Sequence, residues 1–428
     1  MVFKIKKLRV GSHFSGIGSV NEAIKKFNLP CEVVYSIEYD EVTQKAYRDV
    51  YNTKNIYGDI SKVNPSELPP IDIIITSPPC QAFSGEGLQK GLADDRGKIL
   101  FETFRIIEHQ KAKMVLLENV RNLKSIDGGK VFDLILKLFH MLDYRTKFKI
   151  LNSINYNSAQ TRERLFIVAF DKDEQINFKF PPKQKLTHKV KDILCHKDDL
   201  DNVRYRDEQK IKKLFPIRQG RFLKHSHQDV TVSYQYDKQI LRPHISHTLL
   251  CKETCFYHID NSFRTLTLRE RFKLQSFTDE TIDKFLNLKL SRQKYLRFTG
   301  NTINVNVVGS MIKKLVSSFD KFENKNFTNS AITTNVIYDF AIDYINLKMI
   351  KNYKKRDTDK NLSLEDKQKQ SAYVTHQKNK NKSIELINLT TKTLQERGIS
   401  VNIYQITKYS KLSKNTVKKY FNSSEISS

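Results

Sequence analysis

Five short apolar runs, at residues 8–15, 31–37, 71–76, 114–118 and 165–170, alternate with stretches at 19–27, 41–51, 97–110 and 130–142. The runs have the length of strands, and the apolar residues between them recur at helical spacing. Strand–helix alternation over 170 residues confines the chain to an α/β fold, with a parallel sheet and helices on both faces. Such sheets bind ligands at the carboxyl ends of their strands. Residues that close a strand are therefore the candidates for chemistry.

The alternation stops near residue 171. Residues 171–263 are polar and mixed, which predicts a small separate domain. Helical patterning returns at 264–321 and predicts a segment that completes the first domain. Residues 322–383 are rich in Asn, Lys, Asp and Gln and read as a linker, with one helix near 331–350. Residues 384–428 are again amphipathic. No stretch approaches the ~20 apolar residues of a membrane span. The opening MVFKIKKLRV runs straight into a strand pattern with no apolar signal segment. A cytoplasmic protein without membrane association is expected.

The formal net charge of +27 favours a polyanionic partner, because neutralised phosphates release counterions. Charge alone does not decide this, since Lys- and Asn-rich composition also follows from an AT-rich genome. The five cysteines, Cys31, Cys80, Cys195, Cys251 and Cys255, are odd in number and scattered, unlike a disulfide framework. Cys251 and Cys255 lie near His247 and His258 but lack paired CxxC spacing, so no metal is expected.

Four local motifs sit at strand ends. The first is Phe14-Ser15-Gly16-Ile17-Gly18 between a strand and a helix. Its glycines allow close backbone approach to a ligand, although a plain tight turn is the simpler reading. Glu38, at the end of the next strand, is placed to accept hydrogen bonds from ribose hydroxyls. Asn21 stands where a dinucleotide-binding GxGxxG has its last glycine, which points to a nucleoside ligand without pyrophosphate. Gly58-Asp59-Ile60 supplies another carboxylate, suited to an adenine amino group.

The second motif is Thr76-Ser77-Pro78-Pro79-Cys80-Gln81-Ala82-Phe83-Ser84. Two prolines fix the backbone before a cysteine at a strand end, an arrangement that aims a reactive thiol. The flanking prolines and polar residues argue against the alternative of a buried apolar cysteine. The third is Glu118-Asn119-Val120. A carboxylate closing an apolar strand needs a partner, and in a dry pocket it gains proton affinity and suits a general acid. A surface Glu beside a capping Asn is the alternative. The fourth is Gln160-Thr161-Arg162-Glu163-Arg164, whose two arginines point the same way if extended and suit a phosphate or base edge. A solvated strand edge is the alternative.

Together these motifs resemble, in order and spacing, those of the cytosine-5 DNA methyltransferases. Arg264-Thr265-Leu266-Thr267-Leu268-Arg269-Glu270-Arg271, Leu274-Gln275-Ser276-Phe277 and Gly300-Asn301-Thr302 extend the resemblance over roughly residues 8–320. It implies a Rossmann-like methyltransferase sheet with S-adenosylmethionine as methyl donor, S-adenosylhomocysteine as product, and a flipped-out cytosine in double-stranded DNA as target. It also implies Cys80 as the nucleophile at carbon 6, Glu118 at ring nitrogen 3, Asn119 holding the loop, and Arg162 and Arg164 steadying the base. Phe14, Ser15, Gly16 and Gly18 would surround the methionine part of the donor. Glu38 would take the ribose, Tyr39 would pack on adenine, and Asp59 with Ile60 would read its edge. Asn301 and Thr302 would reach the carboxylate. The stretch 84–97 resembles the family's loop that closes over DNA, with Gln81, Ser84 and Arg96 as contacts. Thr76-Ser77 departs from the glycine or phenylalanine that commonly precedes Pro-Cys.

Ser246-His247-Thr248-Leu249-Leu250 resembles the Ser-Pro-Thr-Leu that ends the recognition region in relatives. The variable part is then about 190–243, short enough to predict a site of four or five base pairs. Within it, Arg218, Gln219 and Arg221 are the candidate groove contacts, with a basic loop on phosphate as the alternative. Residues 384–428 read as helix-turn-helix-like, with Lys414, Asn415, Thr416 and Lys418 near the start of the second helix and a plain helical hairpin as the alternative. The expected setting is a restriction–modification system or mobile element. A nuclease would be encoded nearby but not bound, and the enzyme would act as a monomer on DNA. The tail is expected to regulate the protein's own transcription. An RNA cytosine methylase and a catalytically dead regulator are the competing functions. The separate recognition region and the tail favour DNA, and the intact Cys80, Glu118, Arg162 and Arg164 favour an enzyme.

Overall fold

The computed structural model describes residues 7–79, 95–172, 177–194, 203–206, 230–233, 241–259 and 262–319, together with Ile406. The chain divides into two compact units, Met1–Lys348 and Met349–Ser428. In the second, only Ile406 is described, and it is buried. The expected linker and the helix-turn-helix-like segment otherwise lie outside the described residues.

The first unit is built on a seven-stranded sheet. Its strands are β1 (Leu8–His13), β2 (Cys31–Ile37), β3 (Ile56–Tyr57), β4 (Ile73–Thr76), β5 (Met114–Val120), β6 (Tyr144–Asn152) and β7 (Glu163–Asp171), in the order β3-β2-β1-β4-β5-β7-β6. The first five are parallel, as expected. β7 is antiparallel to both β5 and β6, a departure from an all-parallel sheet. A short turn, Ser153–Tyr156, lies between β6 and β7 in place of a crossover helix, so the chain returns in the opposite direction.

The central strands show why both faces must be covered. Ile73 and Ile75 on β4, with Met114 and Leu116 on β5, pack into one core. Ile74, Val115 and Leu117 pack into the other. Successive residues point to opposite faces, so an unbroken apolar run requires helices on each side. Helices α3 (Asp95–Gln110) and α4 (Lys130–Met141) cover one face through Phe104, Ile107, Leu134 and Leu138. Helices α1 (Ser19–Lys26) and α2 (Glu41–Tyr51) cover the other.

Four helices of the return segment join that second face: α5 (Leu268–Leu274), α6 (Asp279–Leu286), α7 (Arg292–Asn301) and α8 (Val305–Phe319). They add Phe272, Phe285, Tyr295, Val308, Met311 and Leu315 to the core. Polar contacts fix the docking. The buried carboxylate of Glu22 on α1 accepts from Thr278 N at 2.8 Å, Thr278 Oγ1 at 2.6 Å and Thr281 Oγ1 at 2.7 Å, at the start of α6. Among the described residues, no helix is long and apolar enough to cross a membrane.

A second, antiparallel sheet forms within the expected recognition region and its margin. It contains β8 (Tyr205–Arg206), β9 (Val230–Ser233), β10 (Leu241–Pro243), β11 (Cys255–Ile259) and β12 (Ser262–Arg264), ordered β10-β9-β11-β12-β8. Its link to α5 is a buried ion pair. Arg264 donates to both oxygens of Glu270 at 2.8 Å, and Glu270 also accepts from Thr267 N at 2.8 Å to close a capping box. Arg264→Ala would leave the Glu270 carboxylate buried without its charge partner, a change worth roughly 3–5 kcal/mol. Urea denaturation is expected to show that loss, and Arg264→Met combined with Glu270→Met to recover part of it. A single variant as stable as wild type would refute the role of the pair.

Candidate active site

The site is assembled from the carboxyl ends of β1, β2, β4 and β5. After β1 the chain turns sharply, with positive φ at Phe14 (54°), Gly16 (53°) and Gly18 (76°). At Gly18, which starts α1, an added Cβ would lie 2.3 Å from the Tyr51 ring, so this glycine makes room for packing. At Gly16 an added Cβ meets nothing within 4 Å, so the backbone there faces open space. Gly16 N donates to Glu38 Oε2 at 2.9 Å, and Asp40 N donates to Oε1 at 3.0 Å. These bonds aim Glu38 across the turn. Burial raises its pKa above the usual carboxylate value, against the pull of the two amides and Lys294. Asn21, at the missing glycine position, accepts a hydrogen bond from Tyr47 Oη.

The diproline bend is held from the next strand. Asn119 Nδ2 donates to Pro78 O at 2.8 Å, and Asn119 Oδ1 accepts from Val120 N at 2.8 Å. With both ends of its amide engaged, Asn119 fixes the bend that leads into Cys80. Cys80 itself lies outside the described residues.

Glu118 is 7% exposed. Arg164 Nε lies 3.3 Å from its Oε1. Residue 164 pairs with Val120 across the β5–β7 ladder, so its side chain shares a face with Glu118. Burial raises the Glu118 pKa, opposed by Arg164, Arg162 and the Ser77 hydroxyl.

The two arginines of the Gln160–Arg164 motif are used differently. Arg164 faces Glu118. Arg162 is buried and donates to Leu249 O at 3.1 Å, Gly300 O at 2.9 Å and Thr302 O at 2.9 Å. It ties the start of β7 to both later segments of the unit. Its neighbour Gln160 does the same, accepting from Leu249 N at 2.9 Å and donating to Leu274 O at 3.2 Å. The Ser246–Leu250 segment is zipped along this motif through Ser246 N to Ala159 O and Thr161 N to Ser246 O, both 2.8 Å.

One cavity of about 460 Å³ joins these parts, within the size range of a small-molecule site. Phe14, Ser15, Gly16, Glu38, Glu118, Asn119, Arg162, Arg164, Asn301 and Thr302 all line it, beside Pro78 and Pro79. Gly18, Tyr39, Asp59 and Ile60 lie off its lining. Tyr39 is 75% exposed, the Asp59 carboxylate accepts from Ser61 N and Oγ, and Ile60 is buried in a core cluster. Thr302 Oγ1 meets Ser19 Oγ, closing the far wall.

Sequence motifs passed over several residues of this wall. His13 lines the cavity and contacts Tyr35 Oη at 3.0 Å; burial lowers its pKa to about 3, so the imidazole is neutral. Asp40, Thr43, Lys294 and Arg297 also line it. Asp40 follows Glu38 by two residues and caps α2 through Thr43 N at 2.7 Å. Lys294 and Arg297 precede Asn301 at helical spacing. That periodicity was the available signal.

Gln81, Ser84, Arg218, Gln219, Arg221, Lys414, Asn415, Thr416 and Lys418 lie outside the described residues, as does the side chain of Arg96 on α3. Among the described residues, no group of three or more His, Cys, Asp or Glu side chains is placed to hold a metal. Cys251 Sγ donates to Asn301 Oδ1 at 2.8 Å, and Cys255 packs in a core cluster.

One cavity thus joins the glycine turn, the diproline bend held by Asn119 and the buried acid Glu118. The sequence agrees with the geometry: this chain belongs to the C-5 cytosine-specific DNA methylase family, whose profile matches residues 8–317. It is 29% identical to the Type II methyltransferase M.Bsp6I of Bacillus sp. (strain RFL6), over 73% of this chain and 99% of the relative. It is 31% identical to the Type II methyltransferase M.HaeII of Haemophilus aegyptius, over 73% of this chain and 95% of the relative. Among solved structures, the fold is similar to the S. pombe Dnmt2 methyltransferase, at TM-score 0.54 and 18% identity over 73% of this chain and all of the other. It is equally similar to a putative DNA modification methyltransferase of an E. coli prophage, at TM-score 0.55 and 19% identity, with the same coverage.

Proposed function

We propose that the protein transfers the methyl group of S-adenosylmethionine to carbon 5 of a flipped-out cytosine in a short duplex sequence. The observation that carries this reading is the single cavity that runs from the Gly16–Glu38 turn to the Pro78-Pro79 bend and Glu118. The residues present fit the methyl donor. Glu38 offers a carboxylate to ribose hydroxyls, the backbone at Gly16 is open to a ligand, and the volume suits a nucleoside with an amino-acid arm. When bound, S-adenosylmethionine supplies an electrophilic methyl on its sulfonium sulfur and departs as S-adenosylhomocysteine.

The chain's own residues prepare the base. The Cys80 thiolate adds to carbon 6, forming a carbon–sulfur bond and making carbon 5 nucleophilic. Glu118, whose proton affinity burial raises, hydrogen-bonds ring nitrogen 3 and stabilises the charge that develops there. Arg164 orients that carboxyl group, and Arg162 holds the walls that frame it. Once carbon 5 carries the methyl group, loss of its proton to a base expels Cys80 and restores the aromatic ring. The target base has to leave the duplex stack to present carbon 6.

We place the enzyme on cytoplasmic duplex DNA, as a monomer in a restriction–modification system or mobile element, with any cognate nuclease acting separately. The segment 190–243 would select the sequence, and the tail would bind DNA near the protein's own gene. The direct test is expression in a methylation-free host followed by genome-wide mapping of 5-methylcytosine. One short motif, of four or five base pairs, is expected to be fully modified. An unmodified genome with modified transfer RNA would overturn the DNA reading.

A further inference from the structure

Across the cavity from the glycine turn stands a single helical stripe. Lys294, Arg297, Phe298 and Asn301 of α7 all line the cavity. Their spacing of three, four and seven residues puts them on one face of the helix. The stripe is anchored at both ends. Lys294 Nζ pairs with Asp40 Oδ1, two residues from Glu38. Asn301 accepts from Cys251, and Thr302 meets Ser19. Arg297 lies between these anchors, about one turn from each.

The charges of the wall nearly balance. Glu38 accepts two backbone amides, Asp40 holds Lys294, and Glu118 holds Arg164. Arg162 is engaged by three carbonyls. Arg297 remains. It is exposed and has no hydrogen bond or ion pair among the described residues. A guanidinium facing a ligand cavity with no carboxylate of its own is a site for an anion.

We infer that Arg297 binds the carboxylate of the amino-acid arm of S-adenosylmethionine; this rests on the cofactor reading above. A nucleoside held at Glu38 lies under the Lys294 end of the stripe. At 1.5 Å per residue, Arg297 is about 4.5 Å further along α7, towards Thr302, whose hydroxyl meets Ser19 beside the glycine turn. A DNA phosphate is the other anion present in the reaction. The base enters at Pro79 and Glu118, on β4 and β5, whereas α7 meets the sheet at Asp40, after β2. Strand β1 stands between β2 and β4, which favours the cofactor over the phosphate.

Calorimetry on the full-length protein tests this with two probes, S-adenosylhomocysteine and 5′-methylthioadenosine, which keeps the nucleoside and sulfur but lacks the amino-acid arm. Arg297→Gln is expected to weaken S-adenosylhomocysteine roughly ten- to a hundredfold and to leave 5′-methylthioadenosine unchanged, with Arg297→Lys in between. Unchanged 5′-methylthioadenosine binding also reports an intact site. Equal S-adenosylhomocysteine affinity in wild type and Arg297→Gln overturns the inference, including the case in which duplex DNA binding weakens instead. Equal weakening of both probes overturns it too, because the effect then does not involve the arm. Wild type that binds neither probe defeats the cofactor reading itself, and so is a separate failure.

Discussion

Cys80→Ser is expected to lower methyl transfer by at least ~10³-fold while leaving the fold intact. Serine keeps the size and loses the reactive anion. A free thiol ionises near pH ~8.5 and lies within reach of activation, whereas an alkoxide does not. The backbone that presents the residue is independent of the sulfur, since Asn119 braces Pro78 whichever atom follows Pro79. A duplex with 5-fluorocytosine at the target separates binding from chemistry, because carbon 5 then has no proton to lose after methylation, the cysteine cannot be eliminated, and the adduct persists. Wild type is expected to give a covalent complex that survives a denaturing gel, with the base attached to the peptide containing Cys80. Cys80→Ser should give none. Attachment at any other residue would reject the assignment.

The second large effect is at Glu118. Glu118→Gln should reduce kcat/KM by roughly 10²–10³-fold and alter the pH profile. Burial raises the carboxyl pKa, so the proton that donates to ring nitrogen 3 is present at low pH and lost as pH rises through the raised value. Wild-type activity is therefore expected to fall on the alkaline side once Glu118 ionises, and on the acid side because an attacking sulfur has to be a thiolate. Glutamine donates an amide hydrogen at every pH. The variant should lose the alkaline limb and keep the acid one. An alkaline limb unchanged in Glu118→Gln would assign that ionisation to a different group.

Local chemistry in this protein was legible because it is contiguous. Phe14–Gly18, Pro78-Pro79 and Glu118–Asn119 each mark a wall of the cavity within a few residues, and β2 has the bounds its apolar pattern predicts. Two strands show the limits. β6 was missed because Arg145, Lys147 and Lys149 interrupt its apolar pattern. It is a sheet edge, where charges discourage unwanted pairing and Lys147 reaches back to Phe178 O at 2.9 Å. The apolar run of β7 predicts a strand but not its direction, which depends on the connection rather than on the strand's own residues. The site's long-range members were the hardest to see. Lys294 and Asp40 are separated by 254 residues, and neither carries a motif that names the other. Likewise the three carbonyls that engage Arg162 have no side-chain signature at all.

The docking of the return helices has a consequence for how the enzyme comes into being. The apolar flank of α1 and the central strands is finished only by α5 to α8, at residues 268–319. During synthesis the ribosome therefore releases Cys80, Glu118 and the glycine turn long before the return helices that complete the same unit. Until Thr302 emerges to meet Ser19, and Gly300 to meet Arg162, the cavity lacks one wall and the sheet keeps an uncovered apolar face. The unit is thus complete only after nearly all of it has been translated, and a product truncated before residue 268 is expected to expose that apolar face and to lack methylase activity.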